Sequence, residues 1–257
     1  MQTLTIANQK GGVGKSTIAV HLAWHAIEAN RPVLLIDLDG QANSTRSFAP
    51  RAEPGTLRAS DLFTSAPGER LPALQVAEGL TLIGADLAIN DVEREPLDAI
   101  QRPAAWLRRL EALHMLTPET LVIIDTPPTL GRRLLGALIA STAVISPLQL
   151  NGYSIQGVTD LQKTIQTVRR KFNPGLRNLG LLPNMVNARA GTHRKLLAEL
   201  TAALPDKVLP YHLAHRVAIA DAIDSGRPCW RGTRGSSGLA AGREMRAVCD
   251  RIMEGLA

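Results

Sequence analysis

Short apolar runs alternate with helix-periodic stretches along almost the whole chain. LTIAN (4–8) reads as a strand feeding a glycine-rich loop, and a helix is expected from about 16 to 29. PVLLIDLD (32–39), LTLIGA (80–85), TLVIIDTPP (120–128), TAVISPL (142–148), NLGLLPN (178–184) and KVLP (207–210) read as further strands. Several are apolar at consecutive positions instead of alternating. Such a strand is buried on both faces, as in a parallel sheet covered by helices on each side. The pattern predicts an α/β fold: a mostly parallel, twisted sheet with helices on both faces. A length of 257 residues suits a single domain over 1–257. The strands end in Asp, Asn or Pro-containing turns. Polar groups therefore collect at the carboxyl edge, where open α/β sheets take their ligands.

Two segments refine this outline. Residues 46–72 are rich in Pro, Gly and Ser, and a loop with one short helix is expected there. A last helix is expected from about 237 to the end, with Met245, Val248, Cys249, Ile252, Met253 and Leu256 on one apolar stripe. Its other face mixes Arg243, Glu244, Arg246, Asp250, Arg251 and Glu254. Mixed charge favours packing on the core over a membrane surface, which selects one sign. The run LLGALIASTAVISPL (134–148) is too short to span a bilayer and reads as a helix end feeding a buried strand.

Composition narrows the class. Aromatics make up 3%, so the core must be built from Leu, Ile, Val and Ala. Two cysteines without CxxC spacing, Cys229 and Cys249, argue against a disulfide scaffold or a zinc site and fit a reducing cytoplasm. No basic segment followed by an apolar one opens the sequence, so no signal peptide is expected. The net charge of +6 is unevenly placed: residues 1–150 hold 13 Lys+Arg against 15 Asp+Glu, and residues 151–257 hold 16 against 8. A basic C-terminal half (151–257) points to an anionic partner, nucleic acid foremost, or to a solvated, arginine-biased surface. Charge alone does not separate the two.

The stretch NQKGGVGKST (8–17) carries the chemistry. Gly14, Lys15 and Ser16 match the end of a phosphate loop, G-x-x-x-x-G-K-[ST], while Gln9 stands at the position of its first glycine. Gly11, Gly12 and Gly14, with Val13 between them, let backbone N–H groups converge on phosphate oxygens without Cβ clashes. The following helix, through Thr17 and beyond, adds its positive end. Lys15 is expected to reach the β- and γ-phosphates, and the Ser16 hydroxyl to ligate Mg²⁺. Lys10, a second lysine, is either a solvated loop residue or a second cation for the phosphates.

KGGVGKST (10–17) resembles the deviant Walker A motif of the ParA/MinD family of P-loop ATPases. The resemblance implies the P-loop NTPase fold, ATP and Mg²⁺ as cofactors, and a nucleotide-dependent homodimer in which Lys10 reaches the partner's nucleotide. VLLIDLDGQAN looks like the family's switch I (here 37–43), with Gly40 where the family has Pro. By position, Asp39 matches the aspartate that polarises the attacking water, and Asp37 lies behind it near the Mg²⁺ shell. LVIIDTPP (121–128) resembles the Walker B strand and the start of switch II, with Asp125 holding Mg²⁺ through water. The implied catalytic set is Lys10, Lys15 and Asp39, and the metal set is Ser16, Asp37 and Asp125. LLPNMVNAR and VLPYHL look like the late strand ends that flank the adenine, which singles out Asn184 and Pro210. The resemblance runs from residue 4 to about 253 and is weakest between 46 and 100.

Within that family the sequence is most similar to ParA/Soj-type partition ATPases without an N-terminal DNA-binding domain. Such a protein dimerises with ATP, binds DNA non-specifically, and hydrolyses when stimulated by a ParB-like centromere-binding protein. It would be cytoplasmic and nucleoid-associated. The basic half fits, because backbone contacts need positive charge and no base readout. Candidates are Arg189, Arg194, Lys195, Arg216, Arg231, Arg234, Arg243 and Arg246, each of which reads equally as solvated surface. The same ATPase positioning a protein cargo fits as well. A MinD-like membrane protein needs a basic amphipathic tail, and the sequence ends in MEGLA. An iron-protein-like redox partner needs cysteines at the dimer axis, and Cys229 and Cys249 come late. Lys10 and the switch I aspartates argue against a dethiobiotin-synthetase-like role. The first strand opens the sequence, so no helix-turn-helix is expected before it. Hydrolysis is expected to be slow, because Lys10 arrives only in the dimer.

Overall fold

The computed structural model describes residues 1–48, 56–67, 74–150, 155–187, 189–232 and 235–257. In sequence order the strands are β1 (Gln2–Ile6), β2 (Val33–Asp37), β3 (Leu74–Ala77), β4 (Leu80–Ile83), β5 (Leu121–Asp125), β6 (Ala143–Gln149) and β7 (Arg177–Asn184). The helices are α1 (Lys15–Glu28), α2 (Asn43–Phe48), α3 (Asp61–Thr64), α4 (Arg102–Ala112), α5 (Arg132–Ala140), α6 (Ile155–Lys171), α7 (Gly191–Ala203), α8 (Val217–Asp224) and α9 (Gly235–Leu256). Two 3-10 segments, Leu87–Arg94 and Leu97–Gln101, precede α4.

The strands form one sheet in the order β3-β4-β2-β5-β1-β6-β7. All its pairings are parallel except β3 with β4. Along β2, Val33 and Leu35 enter one core while Leu34 and Ile36 enter the other, the strand period of two sorting a continuous apolar run onto both faces. On the first face, α1, α8 and α9 cover Leu4, Ile6, Leu35 and Ile123. On the second, Phe63, Trp106 and Leu110 pack on Leu34, Ile36, Val122 and Ile124. The stripe of α9 is buried at Met245, Val248, Cys249, Ile252 and Leu256, with Met253 partly buried. Full burial of an aliphatic side chain contributes about 1.5–3 kcal/mol, which keeps this helix on the core. No helix among the described residues is long and apolar enough to cross a membrane.

Three expectations are corrected. KVLP (207–210) forms only an isolated bridge, Leu181 with Val208. It pairs through Leu181 N–H to Lys207 C=O (2.6 Å) and Leu209 N–H to Leu181 C=O (2.8 Å), and Pro210, lacking an N–H, cannot extend the ladder. Strand β3 is an addition to the expected set. It folds back on β4 through Glu78–Gly79, where Gly79 adopts φ +75°, as a tight hairpin demands. The stretch 46–72 holds the end of α2 and the whole of α3 instead of one short helix, and 49–55 and 68–73 lie outside the described residues.

His21 fastens α1 to the C-terminal region. Its Nδ1–H donates to Thr17 C=O (2.7 Å), and its Nε2 accepts the Cys229 N–H (3.1 Å), so the neutral ring is fully used. Burial pushes its pKa down to about 4 from the ordinary 6.5. The unfolded state takes up this proton below about pH 6.5 and the folded state only near pH 4. Stability is therefore complete above 6.5 and falls as the pH drops through that window, by about 3 kcal/mol in total. Melting temperatures measured from pH 7 to 4 should show this slope in the parental protein and less of it in His21→Gln. Equal slopes would remove His21 from the account.

Candidate functional site

The loop between β1 and α1 crosses the carboxyl edge of the sheet at its centre, between β5 and β6. Its shape is set by hydrogen bonds with β6 and β7. Asn8 Nδ2 donates to Pro147 C=O (2.6 Å), and Asn8 Oδ1 accepts the Lys10 N–H (2.9 Å). Gly12 and Gly14 have φ of +72° and +92°, a region an L side chain rarely enters. At Gly14 a Cβ would also lie 2.2 Å from Asn184 Nδ2, which donates to Val13 C=O (2.8 Å). Asn184, at the end of β7, therefore braces the back of the loop. Gly11 and Gly12 are exposed and face open space, Val13 is buried, and Ile18 N–H to Gly14 C=O starts α1. Ser16 and Thr17 follow in its first turn, where backbone N–H groups have no helical acceptor.

Lys15 is 6% exposed, and its Nζ donates to Lys10 C=O (3.3 Å). Burial lowers its pKa, while the charges of Asp125 and Asp39 raise it. Lys10 is exposed at the rim.

Asp37 and Asp125 end adjacent strands and face each other in register, both wholly buried. Burial holds both carboxyls above the ordinary range; the Asp125 charge raises Asp37 further. Ser16, Ser44 and Lys15 pull Asp125 back. Asp37 Oδ2 accepts the N–H and the hydroxyl of Thr45 (both 2.8 Å), and its Oδ1 accepts the Asp39 N–H (3.1 Å). Asp125 Oδ2 accepts the Ser44 hydroxyl (2.7 Å), while its Oδ1 is buried without a hydrogen-bond partner among the described residues. A buried carboxylate oxygen left in that state is costly, and a hydrated hard cation would satisfy it. Asp39 sits in a turn, half-buried, with Oδ1 accepting the Gln41 N–H (3.0 Å). Thr126 closes the strand end by donating to Ile6 C=O (2.8 Å).

The structure thus brings Lys15, Ser16, Asp37, Asp39 and Asp125 to one place and sets Asn184 behind the loop. Ser44 and Thr45 are members of the site that the sequence reading misses. They stand five and six residues after Asp39, and a hydroxyl pair one turn beyond an acidic strand end is the signal that could find them. Pro210 is exposed beside β7, between Leu209 and Leu213, which bond to Leu181 and Pro183.

The candidate basic residues do not form one group. Arg189 and Arg216 line a cleft of about 650 Å³ with Gln149, Asn187, His193 and His215, beyond the ends of β6 and β7. Arg194 and Lys195 are exposed in the first turn of α7. Arg216 is bound by Glu244 through both Nε and Nη2. Arg246 and Arg231 both pair with Glu28 (2.8 and 2.7 Å) and stack over Trp230 and Trp24. Glu28 ends α1, about 20 Å from the loop along the helix. Arg243 is exposed on α9, and Arg234 lies outside the described residues. Both cysteines are buried and free.

A family model described as an AAA domain matches residues 1–178. The protein is 38% identical to protein IncC of Escherichia coli, over 98% of its own length and 69% of that protein. It is 34% identical to the chromosome-partitioning ATPase Soj of Thermus thermophilus, over 99% and 98% of the two sequences. Among solved structures, cobyrinic acid a,c-diamide synthase from Mycobacterium smegmatis, with bound ATP analogue and magnesium, superposes with a TM-score of 0.80 at 26% identity, covering 99% of this protein and 94% of that one.

Proposed function

The protein belongs to the ParA/Soj family of P-loop partition ATPases, and we propose that it moves DNA by a cycle of ATP-dependent dimerisation, non-specific DNA binding and stimulated hydrolysis. The observation that carries the chemistry is the Oδ1 of Asp125, buried without a hydrogen-bond partner among the described residues, beside Lys15, Ser16 and Asp37. Mg²⁺ fits that donor set, with Ser16 and Asp125 holding it and Asp37 behind them. When bound, Mg²⁺ would supply positive charge to offset that of the phosphate oxygens.

The protein's own residues do the rest. The N–H groups of 11–17 hold the phosphates, with α1 directing its positive end at them. Lys15 neutralises the β- and γ-oxygens. Asp39 orients the attacking water and accepts hydrogen bonds from it. Lys10, exposed at the rim, enters the partner's site in the dimer and stabilises charge that develops in transfer. Asn184, at the end of β7, and Pro210, exposed beside that strand, are the residues taken to flank the base. DNA contact falls to exposed members of the basic set, namely Arg189, Arg194, Lys195 and Arg243. Lys195 meets Glu199 at 3.9 Å on the surface of α7, a solvated pair too weak to withhold it from a phosphate. Arg216, Arg231 and Arg246 contribute less, their charges being met at short range by Glu244 and Glu28. A ParB-like protein that binds a centromere is the partner that stimulates hydrolysis, and the nucleoid is where the dimer resides.

Binding of the protein to a long duplex of arbitrary sequence, measured with ATP, with ADP and without nucleotide, tests this reading. Tight binding is expected only with ATP, alongside a doubled mass in solution. In the Arg189/Arg194/Lys195→Ala triple variant the log–log salt slope should flatten by about 0.9 per lost phosphate contact. An unchanged slope removes α7 from the DNA site, and binding independent of nucleotide sinks the cycle.

A further inference from the structure

The 3-10 segment Leu87–Arg94 lies against both candidate switches, and its side chains occupy the space a Cβ would need on each. Asn90 and Glu93 are three residues apart, one 3-10 turn, so they emerge on the same side. On switch I, a Cβ on Gly40 would lie 2.4 Å from Asn90 Oδ1. Before α5, a Cβ on Gly131 would lie 2.1 Å from Glu93 Oε2. Each glycine stands where a side chain from this one segment comes in.

What those side chains hold is Arg133. Glu93 accepts the Arg132 N–H with Oε2 (2.7 Å) and the Arg133 Nε–H with Oε1 (2.9 Å). The Arg133 side chain is only 8% exposed. Its Nη1 donates to Asn90 Oδ1 and to the backbone carbonyl of Leu38, both at 3.3 Å. Leu38 N–H in turn donates to Asp125 C=O (2.9 Å). The residue between Asp37 and Asp39 is thus gripped at both its polar atoms, by the end of β5 on one side and by a guanidinium from α5 on the other. A buried guanidinium is destabilising unless its donors are matched. Here the matching groups come from the 3-10 segment and from switch I.

We infer that Arg133 is a positioning residue for hydrolysis: it fixes the backbone at Leu38, and so the direction of the Asp39 carboxylate, while Glu93 and Asn90 hold its arm. The inference rests on the reading that Asp39 orients the attacking water. It also accounts for glycine at position 40. Any residue with a Cβ, proline included, would displace Asn90 from Arg133. Because Arg133 belongs to the helix after switch II and Leu38 to switch I, a shift of either switch is felt by the other through this arm.

The test is steady-state ATP hydrolysis, nucleotide affinity and melting temperature for Arg133→Lys, Glu93→Gln, Gly40→Ala and the double variant Gly40→Ala/Asn90→Ala. Misaiming a reacting group by a fraction of an ångström to 1 Å costs roughly tenfold to a hundredfold in rate. Arg133→Lys and Glu93→Gln should therefore lose at least about tenfold in kcat, with KM and ATP affinity changed by less than about threefold. Gly40→Ala should slow turnover likewise, and the double variant should lose no more than Gly40→Ala alone, because both changes act by taking Asn90 from Arg133. The glycine pair leaves Arg133 in place, so it carries the test even if Arg133→Lys does not fold. A kcat within about twofold of parental in Glu93→Gln and Gly40→Ala overturns the inference. So does a rate loss matched by an equal loss of nucleotide affinity, which a merely structural arginine would give. Parental protein that binds ATP and never turns it over sinks the functional reading first, and this inference with it.

Discussion

Lys15→Ala should leave a folded protein that no longer binds ATP at micromolar nucleotide. The Lys15 amine is buried against the Lys10 carbonyl and lies in the field of Asp125 and Asp39. Those two carboxylates keep it charged against the burial that lowers its pKa. Its loss removes the cation that faces the phosphates and leaves Asp125 uncompensated next to an incoming polyanion. Deleting one partner of a buried charge pair costs about 3–5 kcal/mol. At about 1.4 kcal/mol per decade, that is a rise in Kd of roughly 10²- to 4 × 10³-fold. Titration with a fluorescent ATP analogue reads the change directly. Thermal shift gives a second reading, since a ligand that binds only the folded state raises the melting temperature by mass action. Affinity within about threefold of parental would mean that the loop holds phosphate through its backbone alone.

Asp39→Ala should separate binding from chemistry. Asp39 makes no strut of the nucleotide site: its carboxylate accepts the Gln41 N–H inside its own turn. The turn keeps its backbone bond, Ala42 N–H to Asp39 C=O (2.8 Å), after the side chain is gone. Its N–H continues to serve Asp37. ATP affinity and the ATP-dependent dimer should survive. Turnover should drop by on the order of 10²–10⁴-fold, the range for losing a group that orients and accepts protons from the nucleophile. Phosphate release under single-turnover conditions, with mass measured in solution at saturating ATP, checks both halves. Parental turnover in this variant would strip Asp39 of its role and move the search to Asp37, whose carboxylate is fully committed to Thr45 and to the Asp39 N–H. An Asp39→Ala protein that stays monomeric with ATP would instead show that the turn shapes the dimer face.

Glu28 shows why charge counts mislead. The C-terminal half is basic, but three of its candidate arginines are paired with two glutamates on other elements. Arg231 and Arg246 converge on the last residue of α1, and the Trp230 indole N–H donates to the same carboxylate at 3.0 Å. That cluster ties α1 to α9 and lowers the positive field on its side of the molecule. Among the candidate basic residues, Arg194 and Lys195 at the start of α7 and Arg243 on α9 are exposed.

Most of the sheet, the helix that follows the glycine loop, the loop itself and the identities of Lys15, Asp37, Asp39 and Asp125 are legible in the order of residues. Apolar periodicity encodes burial, glycine spacing encodes backbone freedom, and both act over a few residues. Which strand ends meet is settled at the level of the fold. Asp37 and Asp125 face each other because β2 and β5 are neighbours, and that follows from the crossovers, not from either segment. The fold likewise makes Ser44 and Thr45 serve the two carboxylates, brings Arg133 to Leu38 by way of Glu93 and Asn90, and stops KVLP at one bridge. Each of these is a pairing between distant parts of the sequence. A residue's type limits what it can bond to, and the path of the backbone selects which partner comes within reach.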